Sequence, residues 1–252
     1  MNPTEFDRYT EVLQRNLESV PEVMGLVTLG STADKKLRDQ WSDHDFWVIT
    51  KSSVQPKLLD DLSWLPAGDQ ILLKVRHSNG YTVVYDNKHK VEFAVFDLDK
   101  VRTGKAERYS ILIDRDEIGE LMISIHENSI KPVRASAEGL ENLCVLVWSA
   151  CERSERGETL SARQYLDGFA VNQLLNLVTP PLNPERDRLD PRRRLEKSAP
   201  DLAAEIVALS NLVIPLAALR MFEIAERELK ETSPGLCWDK VTMIKGWIRD
   251  QT

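Results

Sequence analysis

Across the first twenty residues apolar positions recur at helical spacing, at Phe6, Tyr9, Leu13, Leu17 and Val20. Asn2-Pro3 in front of them supplies an N-cap and a first-turn proline, and Pro21 ends the run, so a helix is predicted there. The pattern then changes to short blocks. Residues 23–29 read as a buried strand broken by Gly30-Ser31, and residues 45–50 as a second strand rich in aromatic and β-branched side chains. The polar stretch 33–40 between them predicts a short helix, and 54–65 predicts another. Strands follow at 71–76, 81–85 and 91–96. Ser78-Asn79-Gly80 marks the first turn of this meander, and Asp86-Asn87 with Lys88 and His89 marks the second.

From about Lys131 the apolar spacing becomes helical throughout. Helices are predicted over 138–156, where Leu140, Leu143, Cys144, Leu146, Val147 and Cys151 form a stripe, and over 160–178. A third, over 202–229, is bent or split at Pro215, and a last one lies near 238–248. Residues 180–200 hold five prolines and read as loop. The fold class expected is α+β: a small mixed-sheet domain over 1–130, then an α-helical bundle over 131–252. The boundary is placed between residues 120 and 137.

Composition narrows the classes. With 252 residues, 42% hydrophobic and 29% charged, the chain can bury a core without disulfide or metal staples. Three cysteines without a CxxC pair argue against a disulfide framework and structural zinc, and favour a reducing, cytoplasmic setting. The first residues lack the pattern of a signal peptide, and the longest apolar run, 212–219, is too short to span a bilayer. A net charge of −7 argues against a broad grip on nucleic acid or an anionic membrane. That charge is uneven. Residues 1–130 hold 16 basic and 22 acidic side chains, while the remainder hold 17 and 18.

The acidic half contains the informative residues. Gly30-Ser31 lies where a strand runs into a helix. Gly permits close backbone approach, and helix-start N–H groups with the Ser31 hydroxyl suit an anion such as a triphosphate. Asp43 and Asp45, one residue apart at a strand start, point to the same side by the period-two rule. Two such carboxylates call for a cation, and hard oxygen ligands beside phosphates favour Mg²⁺. Glu92 stands inside an apolar strand, where an unpaired buried carboxylate is costly. It is expected near a metal or as a proton acceptor.

The Gly-Ser, the spacer, the Asp-x-Asp and the later strand carboxylate resemble the nucleotidyltransferase superfamily that includes DNA polymerase beta. More specifically, the chain is similar to bacterial antibiotic nucleotidyltransferases of the lincosamide and aminoglycoside type. Asp39-Gln40-Trp41-Ser42-Asp43, and Val83-Val84-Tyr85-Asp86-Asn87 continuing to Glu92-Phe93, resemble the lincosamide members. Ile111-Leu112-Ile113-Asp114-Arg115 resembles the last catalytic-domain strand. The resemblance covers nearly the whole chain. It implies that Asp43 and Asp45 hold Mg²⁺, that Gly30 and Ser31 grip the phosphates, and that Glu92 accepts the hydroxyl proton or completes the metal shell. A nucleoside monophosphate, AMP from ATP or its counterpart from another triphosphate, then passes to a hydroxyl of a small molecule, an antibiotic by this likeness. A homodimer is compatible with it. The alternative is a catalytically silent nucleotide-binding or antitoxin-like regulator. A polymerase acting on RNA fits poorly with the charge and with the lack of a basic, aromatic-rich face.

Other residues carry weaker signals. His44 should point away from its flanking aspartates and serve as a packed or exposed imidazole. Lys35, Lys36 and Arg38 suit either a triphosphate or a solvated face. Trp41 suits either a wall of the nucleotide site or a rim aromatic. The run Arg186, Arg188, Arg192, Arg193, Arg194 and Lys197 is interleaved with acids and reads as a surface ion-pair tract. Glu152, Glu155 and Asp167 lie in the helical half, where a cationic acceptor could bind, and otherwise read as solvated helix faces.

Overall fold

A computed structural model describes residues 1–130, 135–178 and 190–250. The chain divides into two compact units, Met1–Lys131 and Pro132–Thr252.

The first unit runs α1 (Pro3–Glu18), β1 (Val23–Leu29), α2 (Gly30–Ala33), β2 (His44–Thr50), α3 (Gln55–Asp60), β3 (Ile71–Arg76), β4 (Gly80–Tyr85), β5 (Lys90–Phe96), α4 (Leu98–Val101), β6 (Tyr109–Asp114) and α5 (Ile118–Ser129). Its strands form one six-stranded mixed sheet in the order β3-β4-β5-β2-β1-β6. Only β2 and β5 run parallel, with Asp45 opposite Glu92. All other neighbours are antiparallel. Gly80 is required at the start of β4, since a Cβ there would lie 1.8 Å from the Phe93 carbonyl oxygen.

Both sheet faces are covered. On one, α1 lays Tyr9, Leu13 and Leu17 against Phe46, Val48, Val91, Phe93 and Val95, with Leu58, Leu59, Trp64 and Leu65 closing the core. A reciprocal capping box between Asn2 and Glu5 fixes the start of α1. On the other face, Val101 of α4 and Ile118, Met122 and Ile125 of α5 cover Val27, Trp47 and Ile49. Burying each such side chain contributes about 1.5–3 kcal/mol.

Several predicted helices are shorter than their patterns. Over 33–40, α2 stops at Ala33 and only a 3-10 turn, Lys35–Leu37, follows. The Asp34 carboxylate accepts from the Lys36 N–H, a local bond that competes with helix. Over 54–65, α3 stops at Asp60, because Asp61 turns to extended backbone and binds Ser63. Leu62, Trp64 and Leu65 are buried nonetheless, which produced the helical pattern. Helix α5 has no counterpart in the sequence reading. Exposed Ile123 blurs its stripe, and its start is a turn in which Asp116 and Glu117 both take positive φ.

The second unit comprises α6 (Ala137–Glu155), α7 (Thr159–Arg163), a π-helical segment (Gln164–Ala170), α8 (Val171–Val178), α9 (Leu195–Ser198), α10 (Pro200–Leu209), α11 (Ile214–Leu229) and α12 (Trp238–Asp250). Leu143, Val147, Leu174, Met221, Phe222 and Val241 centre its core. The predicted helix over 160–178 is continuous but widens mid-course. There Arg192 donates to the carbonyls of Asp167 and Gly168. The tract 202–229 is split at 210–213. Pro215 sits in the first turn of α11, where its missing N–H costs nothing. Of the predicted loop over 180–200, residues 180–189, with Arg186 and Arg188, lie outside the described residues, and the remainder is not all loop, since it forms α9 at Leu195–Ser198 and ends at Pro200, the first residue of α10. Among the described residues no helix is long and apolar enough to cross a membrane.

Candidate active site

Alternation along the parallel pair β2–β5 sorts the candidate residues. His44, Phe46, Val91 and Phe93 are buried, whereas Asp45 and Glu92 are partly exposed. Asp43 and Lys90 continue that open face. The Lys90 ammonium lies 2.8 Å from Asp43 Oδ2 and 2.9 Å from Glu92 Oε1, and so bridges them. Burial lowers the Lys90 pKa, but the hydrogen bonds to Asp43 and Glu92 outweigh it and leave the ammonium above its ordinary value. Glu92 is therefore not the unpaired buried carboxylate that its apolar strand suggests. Its side chain is 44% exposed and has a cationic partner.

Thr32 ties the Gly-Ser turn to the aspartates. Its Oγ1 donates to the Asp43 carbonyl at 3.2 Å and accepts from the Asp45 N–H at 2.9 Å. Gly30 takes φ +50°, the left-handed conformation that turns β1 into α2. The expectation of open helix-start donors needs correction. The helix is a single turn, the Gly30 N–H donates to the Arg108 carbonyl at 3.1 Å, and Ser31 is buried.

The face behind the aspartates is a tight polar wire. His44 stacks on Phe6 with ring centroids 3.6 Å apart. Thr10 Oγ1 donates to the Phe6 carbonyl, so its contact with His44 Nε2, at 2.9 Å, has the imidazole as donor. His44 Nδ1 then accepts from His89 Nε2 at 2.8 Å. A proton added to His44 would set two N–H groups against each other. Burial, then the neighbouring His89 and Arg38, hold the His44 pKa down at about 2. Burial, then the amino-terminal charge, lower that of His89 to about 4.

Arg38 is neither solvated nor turned to the carboxylate face. Its guanidinium lies over the Phe6 ring, pairs with Asp7 at 2.6 Å, and donates to the Thr32 carbonyl. Lys35 also pairs with Asp7. A cavity of about 640 Å³ opens among Phe6, Asp7, Lys35, Arg38 and Trp41. Trp41 is 84% exposed at this cavity, which none of Asp43, Asp45, Lys90 and Glu92 lines.

In the helical unit, the Asp167 carboxylate pairs with Arg163, while Glu155 is exposed and Glu152 partly so. Arg192 spends donors on Asn172 and on the π-segment carbonyls. Cys144 and Cys151 share the buried side of α6, where burial raises their thiols to about 12 and about 11. Sequence reasoning missed Lys90, although alternation places it on the face of Glu92. It also missed the His44–His89 bond, for which no local pattern exists.

The donor chemistry of Asp43, Asp45 and Glu92 fits a hard divalent cation, and two of the three already converge on one cation, the Lys90 ammonium. As the side chains stand, no group of three or more His, Cys, Asp or Glu among the described residues could hold a metal ion.

No family model and no curated protein matches the chain. Among solved structures it is similar to a nucleotidyltransferase-like protein from Exiguobacterium sibiricum, at 12% identity and a TM-score of 0.40, over 89% of this chain and 76% of that one. An aminoglycoside 6-adenyltransferase from Bacillus subtilis is similar at 13% identity and a TM-score of 0.37, over 95% and 96%. The CdnC:HORMA-deltaN complex of E. coli supplies a third likeness, at 14% identity and a TM-score of 0.32, over 89% and 92%.

Proposed function

We propose that the chain is a Mg²⁺-dependent nucleotidyltransferase that moves a nucleoside monophosphate, AMP from ATP, to a hydroxyl of a small molecule. The acceptor class is an antibiotic of the lincosamide or aminoglycoside type, and pyrophosphate leaves. One observation carries the reading. Asp43, Asp45 and Glu92 share one face at one end of two neighbouring strands, and Thr32 ties that face to the Gly30-Ser31 turn.

Each group has a role in this reading. Asp43 and Asp45, with Glu92 beside them, would hold Mg²⁺, which when bound neutralises phosphate charge and orients the triphosphate. The phosphates are received beside the Gly30-Ser31 turn, whose Gly30 N–H stays with the Arg108 carbonyl and donates nothing to them. Glu92 takes the proton of the acceptor hydroxyl as its oxygen bonds to the α-phosphorus. The bond from that phosphorus to the bridging oxygen breaks, and the electron pair leaves with pyrophosphate. Thr32 holds the backbone of both aspartates, so the protein's main work is alignment.

The test is incubation with ATP, Mg²⁺ and an antibiotic panel, reading pyrophosphate release and a nucleotidyl adduct by mass spectrometry. Glu92→Gln should slow transfer about 10²–10⁴-fold, the range of a lost general base. Pyrophosphate release unchanged in Asp45→Asn sinks the assignment. The Lys90 bridge favours a second reading, a silent nucleotide-binding regulator. It predicts calorimetric binding of ATP with no adduct from any acceptor.

A further inference from the structure

We propose that Lys90 is a resident counter-cation that closes the carboxylate face to free divalent metal and yields it only to metal and triphosphate together. This inference rests on the reading of Asp43, Asp45 and Glu92 as metal ligands.

Three observations carry it. First, one ammonium satisfies oxygens of Asp43 and Glu92 at 2.8 and 2.9 Å. A Mg²⁺ ion closing on those oxygens at about 2.0–2.1 Å would sit against the ammonium, cation beside cation. Second, the backbone of Lys90 is fixed in the β4–β5 ladder opposite Val84, two residues before Glu92, so only the side chain can leave. That side chain is a flexible four-carbon stem, and at 45% exposure it is free to swing outward. Third, as the described side chains stand, no three carboxylate, imidazole or thiol groups are arranged to hold a metal, whereas the ammonium joins two of the proposed ligands.

Charge then sets the order of events. A free divalent ion must shed water and expel an ammonium that has no better partner than the carboxylates it leaves. A triphosphate changes this balance. Its oxygens are strong acceptors for an ammonium, so Lys90 can exchange carboxylate for phosphate as the metal takes the carboxylates. The lysine also holds Asp43 and Glu92 together before metal arrives, which limits their mutual repulsion.

The probe is Mn²⁺, its bound fraction read by electron paramagnetic resonance on the full chain. Measurements are made without nucleotide and with a non-hydrolysable ATP analogue, for wild type, Lys90→Gln, Lys90→Ala and Lys90→Arg. Wild type and Lys90→Arg should bind free Mn²⁺ weakly. Lys90→Gln and Lys90→Ala should bind it about tenfold more tightly or better, the worth of a charged hydrogen bond. Adding Asp43→Asn to Lys90→Gln should erase the gain. Two neutral variants guard against one that fails to fold, and loss of packing cannot produce a gain in metal affinity. If wild type binds free Mn²⁺ as tightly as Lys90→Gln, the gate is wrong and the metal-site reading survives. If no variant binds Mn²⁺ with or without the analogue, the metal-site reading fails and takes the gate with it.

Discussion

The strands β2 and β5 present two faces made from interleaved residues of the same segments. Odd and even positions differ completely in environment. His44, Phe46, Val91 and Phe93 are buried under α1 and α3, and even the polar member, His44, is fully satisfied there. Asp43, Asp45, Lys90 and Glu92 stand on the open face, charged and partly exposed. Further along the strands the open face closes too, since Trp47, Ile49, Ala94 and Phe96 pack against the α4 and α5 side. One end of one face is thus left for chemistry, and the rest of the pair is scaffold. Alternation at period two makes this division possible within seven-residue strands.

If this division is right, substitutions on the two faces fail in different measurements. Phe46→Ala should have the largest effect, about 3–5 kcal/mol in a urea titration, since it empties a fully buried site stacked 5.6 Å from Phe93 and edge-on to Trp64. Asp45→Asn, one residue away, should leave the urea midpoint within about 1 kcal/mol while transfer collapses. A large loss of stability in Asp45→Asn, or a mild one in Phe46→Ala, breaks the comparison.

Thr32 joins scaffold to site, so it should show both effects at smaller size. Thr32→Val keeps the shape but strands the Asp45 N–H and the Asp43 carbonyl. The expected cost is about 1–3 kcal/mol. Transfer should fall as well, because both aspartates lose their shared tether. Thr32→Ser keeps the hydroxyl and should restore both readouts. If Thr32→Val alters stability alone, Thr32 belongs to the scaffold only.

The same division explains what could be read from the chain. Strands were legible because they alternate or run apolar: β1 over 23–29 and β3 over 71–76 lie where the pattern placed them, and β2, β4 and β5 start one residue earlier. The proximity of Asp45 and Glu92 was legible as chemistry, but their register depends on a parallel pairing that no local pattern encodes. Helix ends were less legible where a single side chain stops the helix, as Asp34 and Asp61 do. In the helical unit, the break at 210–213 was assigned to Pro215, yet proline there begins α11. Lys90 was overlooked because a lysine beside a glutamate on a strand reads as ordinary surface until the third partner, Asp43, is placed.

The last expected effect, absent near neutral pH and seen only in acid, concerns a polar element of the buried face. His44 and His89 are held neutral, with pKa values of about 2 and about 4 against an ordinary 6.5. The unfolded chain therefore takes up protons as pH falls below about 6.5, while the folded chain does not. Stability from this pair is complete above that pH and is lost as pH falls through the window toward 4, by about 1.4 kcal/mol per pH unit for each histidine. The groups around the pair set limits on the shift. Arg38 opposes a proton on His44 and Asp7 favours one, while for His89 the amino-terminal charge opposes and Asp43 favours it. His89→Gln keeps an N–H for His44 Nδ1 but removes one titration. Urea midpoints at pH 6.5, 5.5 and 4.5 should fall less steeply in this variant, by about one proton's slope, with near-equal values at pH 7.5. Parallel curves for variant and wild type would show that the buried face, like the open one, tolerates charge, and the distinction between the two faces would then rest on packing alone.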